Sequence, residues 1–95
     1  MSDAVRRLYE AVLARRGRDP TTSRTAKLFA AGRSKMAQKV GEEAIEVAID
    51  AAKDNRGAVI AESADLIYHL VVLWAEMIRR EKSLGIAEKL PKQAA

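Results

Sequence analysis

Five carboxylates in two tight groups stand inside the two most apolar helical segments of this 95-residue chain. Glu42, Glu43 and Glu46 lie within Lys39–Val47, and Glu62 and Asp65 open and close Glu62-Ser63-Ala64-Asp65. Burying charge is costly unless a partner compensates it, so the two segments must turn these acids either to water or to a cation. At about 100° per helical residue, with Met36 set at 0°, an apolar face including Val40, Ala44, Ala48 and Ile45 spans about 20° to 180°. Glu42, Glu46 and Glu43 fall between about 240° and 340°, in the arc of Lys35, Lys39 and Asp50.

The second segment is more constrained. Glu62, Asp65, His69, Glu76 and Arg80 fall in a strip about 60° wide, and the rest of Val59–Ile78 is almost wholly apolar, as in a helix buried on most sides. Asp54-Asn55-Arg56-Gly57 reads as a turn short enough to make the two helices an antiparallel hairpin. Glu46 and Asp65 are then about equally far from its apex by helical rise. Carboxylate strips facing each other across helices about 8–10 Å apart form a ring of oxygens suited to Mg²⁺. The alternative is ion pairing with Lys35, Lys39 or Arg80 on a solvated face, at about 0.3–0.5 kcal/mol a pair. The second helix has too little polar surface to be an ordinary solvated helix.

Length predicts one domain, residues 1–90, with 91–95 as a mobile tail. With no cysteine, disulfide, thiolate-metal and cysteine-nucleophile chemistry are excluded. Acids interrupt every apolar run before membrane-span length, and the N-terminus lacks a secretory pattern, so the expectation is a cytoplasmic protein with no membrane partner. Residues 1–40 hold ten Lys/Arg against three acids, and residues 41–95 seven against ten. With four aromatics in all, Phe29 and Trp74 in apolar surroundings, no stacking platform for nucleic acid is visible.

In chain order, Asp3–Arg16 is predicted as an amphipathic helix with Arg6, Arg7, Arg15 and Arg16 solvated. Ser23 caps a short helix Arg24–Ala31 that Gly32 closes. Arg33 opens a long helix to about Lys53, with Ser34 as a cap. Gly41 inside that helix costs about 1 kcal/mol relative to Ala, so either another backbone approaches closely there, the favoured reading, or the position is merely tolerated. Arg79–Lys82 frays, and Ser83–Ile86 with Leu90 forms a short closing turn or helix packed by its apolar side chains. The fold expected is all-α: a small helical bundle around a central antiparallel hairpin. Its wide apolar coverage requires homodimerisation, or a dimer of dimers, to complete it.

Ser23-Arg24-Thr25-Ala26-Lys27-Leu28, Gly32, Lys39-Val40-Gly41-Glu42-Glu43-Ala44 with Glu46, and Glu62-Ser63-Ala64-Asp65-Leu66-Ile67-Tyr68-His69-Leu70 closely resemble the phosphoribosyl-ATP pyrophosphohydrolase family, over roughly residues 5 to 90. Glu-Glu-x-x-Glu followed by Glu-x-x-Asp resembles the Mg²⁺ signature of the wider all-α nucleoside-triphosphate pyrophosphohydrolases. The resemblance implies cleavage of phosphoribosyl-ATP between its α and β phosphorus atoms, the second step of histidine biosynthesis. Arg24 departs from the family pattern, which places an aromatic there. In this reading Glu42, Glu43, Glu46, Glu62 and Asp65 hold Mg²⁺, and Glu43 or Glu46 is the general base. Arg24, Lys27, Arg33, Lys35 and Lys39 contact phosphates, with a neighbouring subunit completing the site. His69 is expected to make a hydrogen bond beside the metal site rather than to ligate, and Tyr68 and Trp74 to lie in the core or a subunit interface. Two alternatives stand beside it: a housecleaning hydrolase of ordinary nucleoside triphosphates, and a non-catalytic helical dimer that binds nucleotide.

Overall fold

The helical periodicity is realised, in a computed structural model that describes residues 3–78 and 85–92, as α1 (Asp3–Ala14), α2 (Arg24–Ala31), α3 (Arg33–Ala52) and α4 (Arg56–Met77), followed by a 3₁₀ turn at Ala87–Lys89. No strand occurs among the described residues. The all-α class and the central hairpin expected from sequence are both present.

Local chemistry sets the helix ends. Ser23 caps α2, its Oγ accepting from Ala26 N–H at 3.2 Å. Gly32 is at once the residue that ends α2 and the one that precedes α3, at φ +98°, a backbone conformation that favours glycine. Its N–H donates to Leu28 O and its carbonyl accepts from Met36 N–H, so α2 and α3 meet at a one-residue corner. Ser34 therefore lies inside α3 rather than capping it. The turn is tighter than expected: α4 begins at Arg56, with Asn55 Oδ1 accepting from Ala58 N–H at 3.2 Å.

The core forms where α1, α2 and the ends of the hairpin remote from that turn converge. Val12, Leu28, Met36, Val71, Val72 and Ala75 are buried there, with Leu8, Tyr9, Phe29 and Trp74 packed around them. Arg16 is not simply solvated: its Nη1 lies 3.2 Å from Glu76 Oε2 and its guanidinium stands over the Phe29 ring, fastening the end of α1 to α4. By contrast, no residue from 44 to 68 is buried. Ile45, Ile49, Ile60 and Ile67 are 43–73% exposed along this part of the hairpin. A Cβ at Gly41 would meet nothing within 4 Å, so among the described residues no backbone of another element approaches it.

α4 is 22 residues long and apolar enough, by length and composition, to cross a membrane. In the fold it is the central core helix, with His69, Val71, Val72 and Ala75 buried. The closing turn is less packed than its apolar residues suggested, since Leu90 is 57% exposed. The expected frayed segment and Ser83, Leu84 and Arg80 lie outside the described residues.

Met36 is 1% exposed and joins α3 to the core, whereas Asn55 supplies one capping bond. Chemical denaturation should therefore find Met36→Ala losing about 2–5 kcal/mol and Asn55→Ala about 1 kcal/mol.

Candidate metal and phosphate site

The antiparallel pairing of α3 and α4 brings the acids together. Glu43 from α3 and Glu62 and Asp65 from α4 each offer a carboxylate oxygen, all within 4.8 Å of one another. Glu43 is 8% exposed, and its buried Oε2 has no hydrogen-bond partner among the described residues. Lys39 Nζ, one turn earlier on α3, is 4.0 Å from Glu43 Oε1, at the outer limit of an ion pair. Hydrogen bonding to Glu46, and then to Glu43, pushes the Glu62 carboxyl up to about 7; lost hydration and the repulsion of both neighbours add to this. Glu46 is itself exposed but reaches Glu62 from the solvent side of α3.

Glu42 does not converge with the other acids. It accepts from Gln38 Nε2 at 3.2 Å and pairs with Lys39 Nζ at 3.5 Å. The Gln38 hydrogen bond first, and then the charges of Lys39 and Lys35, hold its carboxyl below the usual value. The converging set is all oxygen, crowded with like charge, and includes a buried oxygen with no donor among the described residues. Such a set fits a hard divalent cation that takes oxygen ligands.

A second cluster lies where α2 packs on α4. Arg24 Nη2 donates to His69 Nε2 at 3.3 Å, and the guanidinium carbon is 4.7 Å from the centre of the Tyr68 ring. The Tyr68 hydroxyl and Thr25 Oγ1 are 2.6 Å apart. Burial, then the charges of Arg24 and Lys39, hold the His69 imidazole below its ordinary pKa, against the pull of Asp65 and Glu42. Beside this cluster, Pro20, Thr21, Thr22, Ser23, Arg24 and Lys27 line a groove of about 500 Å³.

Of the cations expected to meet phosphate, Lys39 stands against the acids, and Arg24 and Lys27 share the groove. Arg33 and Lys35 are exposed on the first turn of α3, and Lys35 bears on Glu42. His69 bonds Arg24, and Tyr68 packs against the core as expected while its ring also stands against the Arg24 guanidinium. Thr25 was not singled out in the sequence. It stands in the Ser23–Leu28 segment that carries the resemblance, but its contact could not be read because the partner face of that helix is not legible from the sequence.

A family model described as phosphoribosyl-ATP pyrophosphohydrolase matches residues 5–78. Phosphoribosyl-ATP pyrophosphatase 2 of Rhodopseudomonas palustris is 61% identical, over 97% of this chain and 79% of its own length. The protein of the same name from Bradyrhizobium diazoefficiens is 60% identical, over 99% of this chain and 78% of its own. Phosphoribosyl-ATP pyrophosphatase of Azospirillum brasilense is 52% identical, over 87% and 85%.

Glu62 holds its proton more tightly in the folded chain than at the ordinary value of 4.5. Between that value and about 7 the folded state binds more protons than the unfolded state, so the contribution of Glu62 to stability falls as pH rises. In divalent-free buffer, the melting temperature of Glu62→Gln relative to the unmodified chain should climb between about pH 5 and pH 8. A difference that stays flat across that range contradicts this geometry.

Proposed function

Because the chain belongs to the phosphoribosyl-ATP pyrophosphohydrolase family, we propose that it hydrolyses phosphoribosyl-ATP to phosphoribosyl-AMP and pyrophosphate in histidine biosynthesis. The observation that carries the reading is the meeting of Glu43, Glu62 and Asp65 within 4.8 Å, with a buried Glu43 oxygen left for a ligand.

Glu43, Glu62 and Asp65 would hold Mg²⁺, which supplies charge neutralisation and polarisation of the phosphoryl group. Glu46 reaches this set through Glu62 yet stays exposed, which suits it as the general base. It takes a proton from water as the water oxygen bonds to one phosphorus of the α–β bridge. The bridging P–O bond breaks, and pyrophosphate separates from phosphoribosyl-AMP. Lys39 balances charge at the buried edge, and Glu42 keeps Lys39 oriented rather than ligating. Arg24 and Lys27 meet phosphate in the groove at the start of α2, with Arg33 and Lys35 contributing to its positive field.

The working unit is a homodimer. Ile45, Ile49, Ile60 and Ile67 form an exposed apolar surface on the part of the hairpin that lacks any buried residue. Covering the 43–73% of each left exposed would contribute roughly 0.6–2 kcal/mol. A cysteine-free chain acting on a highly charged nucleotide fits a cytoplasmic location.

Product analysis with phosphoribosyl-ATP and ordinary nucleoside triphosphates, with and without Mg²⁺, tests this reading. Pyrophosphate should form from phosphoribosyl-ATP, only with the metal, and Asp65→Asn or Glu46→Gln should reduce kcat at least a hundredfold while helicity is kept. Preference for free triphosphates, or unchanged turnover in both variants, overturns it. Sedimentation of the same preparations should find a dimer; a stable, active monomer refutes that part.

A further inference from the structure

His69 is 1% exposed, and the hydrolysis proposed for the carboxylates does not use it. A leucine there would extend the apolar run of α4 and leave no polar atom to satisfy. Among the described residues Nδ1 is buried without a hydrogen-bond partner, so the hydrogen bonding of the imidazole lies at Nε2. The partner of Nε2 is Arg24 Nη2 at 3.3 Å. A guanidinium only donates, so Nε2 accepts and the imidazole proton sits on Nδ1.

Tyr68 supplies the second restraint on Arg24, its ring centre 4.7 Å from the guanidinium carbon and its hydroxyl fixed to Thr25. An arginine side chain is long and rotamer-rich. This one is held on one face and at one N–H, leaving its remaining donors for a ligand in the groove that Arg24 lines with Thr21, Thr22, Ser23 and Lys27. His69 also feels the charges of Lys39, Asp65 and Glu42.

We infer that His69 is a positioning residue: through its Nε2 it fixes the Arg24 guanidinium against Tyr68, so that Arg24 receives a phosphoryl group of the substrate in this groove. The inference rests on the phosphoribosyl-ATP reading for its substrate and on the His69–Arg24 geometry for its mechanism.

A double-mutant cycle on the full chain with Mg²⁺ tests it. Arg24→Ala and His69→Leu should each raise KM for phosphoribosyl-ATP about tenfold with kcat little changed, as expected for loss of one oriented charged contact. The double variant should be no worse than Arg24→Ala alone. His69→Gln, which keeps an acceptor, should recover most of the loss. Independently of turnover, imidazole ¹⁵N spectra should show the proton on Nδ1 and a shift at Nε2 in Arg24→Ala. Losses that multiply in the double variant, a His69→Gln no better than His69→Leu, or a proton on Nε2 overturns the inference. If His69→Leu fails to fold, the His69→Gln kinetics and the spectra decide it. An unmodified chain that does not hydrolyse phosphoribosyl-ATP overturns the functional reading instead, while the spectra still decide the pairing.

Discussion

Repulsion among carboxylates crowded between α3 and α4 is the interaction on which the rest of the structure depends. Glu43, Glu62 and Asp65 bring their oxygens within 4.8 Å, and among the described residues Lys39, at 4.0 Å from Glu43, stands near as a counter-charge. Hydrogen bonding to Glu46 and Glu43 first, then lost hydration and the repulsion of both neighbours, hold the Glu62 proton up to about 7, because like charges so close cannot all ionise without cost. A fold that keeps such a cluster gives up stability, and the cation expected there converts the same repulsion into binding affinity.

The remaining architecture holds those acids in register. Buried residues cluster where α1 and α2 pack on the hairpin, with the Gly32 corner fixing α2 against α3 and the Arg16–Glu76 pair fastening α1 to α4. The part of the hairpin nearer its turn carries exposed isoleucines instead. Buried packing is thus concentrated on one side of the acids and exposed apolar surface on the other.

Much of this was legible in the sequence because it depends on helical periodicity and turn chemistry. Ser23 and Gly32 mark both ends of α2, and the acids of α3 and α4 sit at matched distances from Asn55. What periodicity could not separate was Glu42 from Glu43. They are neighbours on one charged arc, yet Gln38 and Lys39 draw Glu42 to solvent while Glu43 turns inward. Contacts between α2 and α4 were also hidden, because their register depends on the Gly32 corner. Arg24 over Tyr68, bonded to His69, and Arg16 over Phe29 follow from that corner and from how α1 docks.

Divalent-ion binding by Glu43, Glu62 and Asp65 is the central claim, and titration of the purified protein with Mn²⁺, followed by electron paramagnetic resonance, tests it most directly. Saturable binding that is lost in Glu43→Gln and kept in Glu42→Gln is the predicted result. No binding by the unmodified chain, or binding that depends on Glu42 and not on Glu43, would contradict it.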